Sequence, residues 1–578
     1  MARLLVLLAT LVAWVAAAAA APTPPGEVRD QPTAEALLDN SAAPDNPIHN
    51  DYFLPIGEAG PALHEFSGTL SVPLTMMEIP GSSAGGTRFF PAVDLAFVSR
   101  GGHLIPVERD IIRGGAGSSA WDVILSPGRV WSEAGDGGLS RASFPFILAG
   151  RVWNESHNGL ATFVYDDNRV SHLQIQIVQE AANWNRFSAW GRLPAKFTPH
   201  AVDSTVVVDF QAELAARLPM NPWSELPGVT DSDLADRFDG GARHVITSGL
   251  VVDGVLYARP CATKFGDYPY CAEMRHGVYS MTKSMGAGLA LLRLAAVYGD
   301  DIFDLKIEDF VDVTAGHDGW AEVTFGDALN MTTGVGDLSH DPTSPNNDED
   351  HTPEFWTYAD AMGAERRLRM AFAGGNYPWG PGEVFRYRSI DSYVLAAAMD
   401  AFVKRETGPD ADLWDMMIGQ VLRPIGVAHA PMMHTREGDG GRGVPIMGWG
   451  LYPILDEMAK IAGLFQSRGV HRGQRLLSAD GLRAVFPTEA EPGLPALWDN
   501  VYGAYRYRSS FWFMPFRGNR GCFVWIPEML GFGGNIIALM PNSMIAIRLS
   551  DDYKGALGQY EGESMARLAD HIEPFCEE

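Results

Sequence analysis

Apolar and polar positions follow two different rhythms along this chain, and the change falls near residue 222. From about 49 to 215 the apolar residues come in short strand-like runs, alternating or continuous. Examples are "GTLSVPLTM" (68–76), "PAVDLAFVS" (91–99), "FPFILAGRVW" (144–153), "LATFVYDD" (160–167), "SHLQIQIVQ" (171–179) and "STVVVDF" (204–210). Gly, Asp and Asn turns separate them, and almost no 3.6-residue period is present. The pattern predicts a β-rich domain, sandwich- or barrel-like, over 49–221. No known family is recognised in it.

Beyond 222 the rhythm is mixed. "VTDSDLADRFD" (229–239) predicts a capped helix, and "HVITSGLVVDGVLYARP" (244–260) a hairpin turning at Asp253-Gly254. In "HGVYSMTKSMGAGLALLRL" (276–294), Met281, Met285, Leu289 and Leu292 recur at helical spacing, and Gly299 supplies a stop. Further helical segments follow. "FVWIPEMLGFGGNIIALMPNSMIAIRLS" (523–550) then reads as two more strands. Strands at both ends with helices between predict an α+β domain over 222–578 whose first and last strands share one sheet.

The ends of the chain and its composition narrow the setting. "MARLLVLLATLVAWVAAAAAAPTPP" has a basic residue, an apolar stretch and Ala-x-Ala options, so residues 1–21 are expected to be a secretory signal. Residues 22–48, rich in Pro, Ala, Asp and Asn, read as a linker. No later segment is long and apolar enough to span a membrane as a helix. The expected location is secreted or periplasmic. Four cysteines fit export: Cys261 and Cys271 flank a short loop, and Cys522 and Cys576 offer a second pair, although spacing does not fix connectivity. Asn154-Glu-Ser is a glycosylation sequon, relevant in a eukaryotic host. A hydrophobic content of 46% makes the chain globular, and a net charge of -27 argues against nucleic acid and anionic membrane surfaces as partners.

The candidate chemistry starts at the predicted helix, where Ser280 stands three residues before Lys283 and so on the same face. A nucleophilic serine needs a base, an oxyanion site and a route for the leaving-group proton. Lys283 can serve as base if burial lowers its pKa, and a tyrosine can carry the proton. Tyr387, in "WGPGEVFRYRSIDSYVLAAAMDAF" (379–402), is the candidate. An N-capping serine with a surface lysine is the plain alternative, and Ser-x-x-Lys alone decides nothing.

The order of the pieces does decide. "YSMTKSMGAGLAL" (279–291), "VTFGDALNMTTGVGD" (323–337), "WGPGEVFRYRS" (379–389) and "GFGGNIIALMP" (531–541) together resemble the serine β-lactamase/penicillin-binding superfamily. The likeness covers about 225–578. It is nearest the branch holding class C β-lactamases, D,D-peptidases, family VIII esterases and 6-aminohexanoate-dimer hydrolases. The resemblance implies an antiparallel sheet with a helical domain and no metal or organic cofactor. Ser280 would be the acylated nucleophile, Lys283 its general base and Tyr387 the proton shuttle. The oxyanion would sit at the backbone N–H groups of Ser280 and of a residue near Glu528. Two positions depart from the family. Its Tyr-x-Asn is Tyr-Arg-Ser here, with Ser389 in the asparagine place, and its Lys-Thr-Gly or His-x-Gly falls on Trp525-Ile526-Pro527. Both departures are seen in the esterase and nylon-oligomer hydrolase branches. Trp525 offers an apolar face to a substrate, and Arg388 could swing in as a replacement cation.

Competing signals are weaker. "GSSAG" (81–85) matches Gly-x-Ser-x-Gly around Ser83, but a strand-like stretch follows where a nucleophile elbow needs a helix. No zinc motif occurs. The acidic run "NNDEDH" (346–351) is a solvated surface, a cation site or a lid near the site. The resulting expectation is a secreted serine hydrolase acting on a small-molecule ester or amide, with residues 222–578 holding the complete catalytic set. A D,D-peptidase or β-lactamase, or a catalytically silent binding protein of the same fold, is the alternative.

Overall fold

The computed structural model describes residues 32–39, 44, 46–79, 85–115, 117, 119–181, 185–234, 238–239, 244–338, 348–438, 440–487, 491–551 and 562–576. The expected signal segment and Ser83 lie outside them.

Residues 67–199 carry a ten-stranded sheet of antiparallel neighbours, with Ala189–Leu193 at one end of the path and Lys196–Pro199 at the other. Alternation sets its inner face: Leu95 and Phe97 are buried in Val93–Arg100, while Asp94 is exposed. Phe66, beside the first strand, packs edge-on against Tyr165 and Phe163, with ring centroids 5.3 and 5.6 Å apart. The sheet therefore coils over a single apolar cluster. Ser140–Gly150, Ser156–Tyr165 and Leu173–Glu180 are buried on both faces. Their second face meets the chain that leads to Ser280. Asn158 donates to the Arg275 carbonyl (3.0 Å) and the Tyr268 hydroxyl to the Gly159 carbonyl (3.1 Å). A Cys261–Cys271 disulfide closes the intervening loop, and Cys522–Cys576 forms the second bridge.

Two readings of the first part change. "STVVVDF" is not a strand, because Thr205–Ala216 is an α-helix. Its β-branched run suggested a strand, but Phe210 and Glu213, three residues apart, both turn inward. Glu213 forms a buried pair with Arg109 at 3.1 Å and a further one with Arg217 at 2.9 Å. Within the expected linker, Ala34–Leu38 is a short helix whose Leu37 is fully buried beside Leu139 and Val164.

Among the described residues the second sheet has nine strands. Val245–Val252 pairs with Ile545–Ser550, so first and last strands of this part lie side by side as expected. The hairpin does turn at Asp253-Gly254, where both residues have positive φ. The final stretch forms three strands, not two: Phe523–Gly531, Asn535–Leu539 and Ile545–Ser550. The missed turn runs through Pro541-Asn542-Ser543, with Ser543 at φ 69°. The expected nucleophile helix packs on this sheet. Lys283–Gly288 is wound as a π-helix and Leu289–Tyr298 as an α-helix ending at Gly299. Met281, Met285, Leu289 and Leu292 are all buried in the main core, each contributing about 1.5–3 kcal/mol. Gly531 lets the sheet come this close, since a Cβ there would meet the Val278 carbonyl oxygen at 2.3 Å. Among the described residues no helix is long and apolar enough to cross a membrane.

Candidate active site

Three elements converge on Ser280. The first is its own turn. Lys283, one helical step on, is buried, and its ammonium donates to Ser280 Oγ at 2.8 Å and to the Gly448 carbonyl at 2.9 Å. Burial pushes the Lys283 pKa down to about 8, against the pull of Asp350 and Asp348.

The second element is Tyr387-Arg388-Ser389, which leads into the buried helix Ser389–Thr407. The Ser280 side chain draws the Tyr387 phenol pKa down against burial, and Lys283 Nζ lies 4.7 Å from its ring centroid. Burial holds the phenol well above its ordinary pKa, so it is neutral at physiological pH. Trp512 and Tyr507 pack around the ring at 5.4 and 6.3 Å. This segment is braced by the short helix Phe325–Asn330. A reciprocal Thr324–Asp327 capping box starts that helix, and the Met331 carbonyl at its end accepts from Arg386 N–H at 3.0 Å.

The third element is the acidic run. Glu349 N–H donates to the Tyr387 carbonyl at 2.8 Å, laying residues 348–350 alongside Tyr387 to Ser389. Glu349 turns inward to Arg386 (2.9 Å) and the Tyr377 hydroxyl (2.7 Å). Asp350 accepts from Ser389 N–H at 2.7 Å and from the Ser389 hydroxyl. Burial raises the Asp350 carboxyl above its ordinary pKa, while Lys283 opposes the rise. Residues 348–350 thus form a fixed wall beside Lys283. Among the described residues no group of three or more His, Cys, Asp or Glu is arranged to hold a metal ion.

The other expected residues are placed as follows. Ser389 lies at Asp350, one helical start from Tyr387. Glu528 sits mid-strand between Trp512 and Ala538, with its carboxyl buried beside Arg548 and Gly562, on the face opposite Pro527 and Met529. Its side chain therefore points away from the face that packs on the nucleophile turn. Trp525 is half-buried beside Phe523, opposite Pro515, and no described polar or ring contact joins it to Ser280, Lys283 or Tyr387. The aromatic rings packed around Tyr387 are Trp512, Tyr507 and Phe385. Arg388 is not free to swing in: it is buried and bonded to Asp391 (2.7 Å), Glu354 (2.9 Å) and the Ala371 carbonyl (3.2 Å). Asn154, the sequon residue, has no exposed surface, so the folded chain has no room for a glycan there.

The arrangement joins a serine hydroxyl hydrogen-bonded to a buried amine of lowered pKa, with a neutral phenol packed beside them. That set can deprotonate the serine and return the proton to a leaving group.

Comparison with known proteins bears on the same region. Among solved structures, similar chains include a protein from Bacillus anthracis named as a 6-aminohexanoate-dimer hydrolase (15% identity, 62% of this chain and 88% of that one, TM-score 0.43). Others are a family VIII carboxylesterase (14%, 60% and 92%, TM-score 0.38) and a class C beta-lactamase mutant (14%, 60% and 99%, TM-score 0.39). No curated protein matches the chain. The model of the beta-lactamase family matches residues 231–553, more than half of the chain, which takes in Ser280, Lys283 and Tyr387; the chain belongs to the beta-lactamase family.

Proposed function

We propose that the chain is an exported serine hydrolase that cleaves a small ester or amide through an acyl-Ser280 intermediate. One observation carries this reading: the buried Lys283 amine is 2.8 Å from Ser280 Oγ and 4.7 Å from the centroid of the Tyr387 ring. Neutral Lys283 takes the Ser280 proton as Oγ attacks the substrate carbonyl. The resulting oxyanion is held by backbone N–H groups, that of Ser280 and one on the strand at Glu528. Ser280 N–H meets no acceptor among the described residues, which supports it as a donor. Collapse of the intermediate expels the alcohol or amine, protonated through Tyr387 from Lys283. Water then attacks the acyl-enzyme by the same route in reverse and frees the acid.

Esters and simple amides fit better than β-lactams. A β-lactam brings a carboxylate, and Trp525-Ile526-Pro527 supplies no cation for it. Arg388 is committed elsewhere, and Asp350 adds negative charge beside Lys283. Loss of one charge-assisted hydrogen bond costs about 1.5–3 kcal/mol, roughly ten- to a hundredfold in affinity. The signal-like N-terminus and the two disulfides support export. Turnover of short p-nitrophenyl esters against nitrocefin and penicillin G tests the reading. Clear ester hydrolysis with little β-lactam hydrolysis is expected. A kcat/KM for nitrocefin equal to that for the best ester would favour the β-lactamase or D,D-peptidase alternative.

A further inference from the structure

The turn that presents Ser280 is held from outside the family-matched region. Tyr279 has φ 48°, in the left-handed region that a bulky residue rarely adopts. Its N–H donates to Asn154 Oδ1 at 2.7 Å, and its hydroxyl donates to the Ala181 carbonyl. Asn154 lies on the loop joining Ser140–Gly150 to Ser156–Tyr165, and Ala181 follows Leu173–Glu180, so both belong to the first sheet. Gly277 N–H donates to Ser156 Oγ at 3.1 Å. A Cβ on Gly277 would stand 1.7 Å from the Asn154 carbonyl oxygen, so the two backbones lie flush.

The same loop reaches the support of the base. Asn154 Nδ2 donates to the Leu451 carbonyl at 3.2 Å, and Leu451 N–H donates to Thr282 Oγ1 at 3.2 Å. Three residues before Leu451, the Gly448 carbonyl holds the Lys283 ammonium. Trp153 stacks on Trp449, with centroids 5.7 Å apart. One loop thus ties the backbone before the nucleophile to the backbone that anchors its base.

We propose that Asn154 is a positioning residue of the active site: through the Tyr279 backbone it fixes Ser280 Oγ against Lys283, which makes the N-terminal sheet an integral part of the hydrolase. A strained backbone persists only where its surroundings over-determine it. Removing the Asn154 acceptor orphans a buried N–H and lets Tyr279 relax. A displacement of about 1 Å at the nucleophile costs on the order of a hundredfold in rate.

The inference rests on the acyl-Ser280 reading, and full-length variants separate the two. Labelling rate with a fluorophosphonate probe, kcat and KM on a p-nitrophenyl ester, and Tm are measured for wild type, Asn154→Ala, Asn154→Asp and Ser156→Ala. Asn154→Ala is expected to slow labelling and kcat about a hundredfold with KM nearly unchanged. Asn154→Asp keeps the acceptor for Tyr279 N–H but loses the donor to the Leu451 carbonyl, and is expected to recover part of that loss. Ser156→Ala, which frees only Gly277, is expected to be slower by about tenfold. Asn154→Ala labelling at the wild-type rate overturns the proposal, as does Asn154→Asp as slow as Asn154→Ala. Should Asn154→Ala not fold, a wild-type rate in Ser156→Ala overturns it. A wild type that does not label defeats the hydrolase reading itself, and this inference with it.

Discussion

Asp350 accepts two hydrogen bonds from Ser389, one from its N–H at 2.7 Å and one from its hydroxyl, and so sets a carboxyl group beside the serine that stands in the asparagine place. The charge works on Lys283 through space: a nearby anion favours the ammonium form and raises its pKa. Asp350→Asn removes that pull, and neutral Lys283 then persists to lower pH. The rising limb of the kcat/KM profile is expected to move acidward by about one unit. The ratio of nitrocefin to ester turnover is expected to rise, because one negative charge has left the wall. An unmoved profile would show that Asp350 does not act on the base.

The wild-type profile has its own signature. In the proposed role Lys283 must be neutral to accept a proton, and burial brings its pKa to about 8. The active fraction is therefore small at pH 6 and grows as pH passes through 8. Ester kcat/KM is expected to climb through that range with a midpoint near 8. A rate constant from pH 5 to 9, with chemistry rate-limiting, would contradict the role.

Ser280→Ala and Lys283→Ala are each expected to lower kcat by about a thousandfold or more, since the pair acts as one unit. The overall fold should be kept. More than a tenth of wild-type turnover in Lys283→Ala would remove Lys283 as the base.

Much of this site is legible in the sequence, and the exceptions have physical causes. Ser280, Lys283 and Tyr387 lie in local patterns, a helical period and a turn before a helix, and local patterns survive without coordinates. Asp350 does not, because an acidic run looks like solvated surface until its pairing with Tyr387 to Ser389 is seen, 39 residues away in sequence. Asn154 carries a sequon that points to the surface, yet both ends of its amide are bonded in the interior. The fold divides similarly. The hairpin at Asp253-Gly254 follows from turn chemistry. The helix Thr205–Ala216 was hidden by its valines, because inward pairing of Glu213 with Arg109 outweighs β propensity.

Close approach of sheet and nucleophile turn gives a stability test. A Cβ at Gly531 would lie 2.3 Å from the Val278 carbonyl oxygen and 3.1 Å from Met281 Cγ. Gly531→Ala must push the strand from the turn and is expected to cost about 1–3 kcal/mol. Chemical denaturation measures it. An unchanged midpoint would mean that the contact yields without cost.

The central claim is that Ser280 is the acylated residue, and covalent capture tests it most directly. The protein is incubated with a fluorophosphonate, digested, and the adduct located by peptide mass spectrometry. The account predicts a single adduct on Ser280, absent from Ser280→Ala and strongly slowed in Lys283→Ala. An adduct on another serine, or a folded and unlabelled wild type, would contradict it.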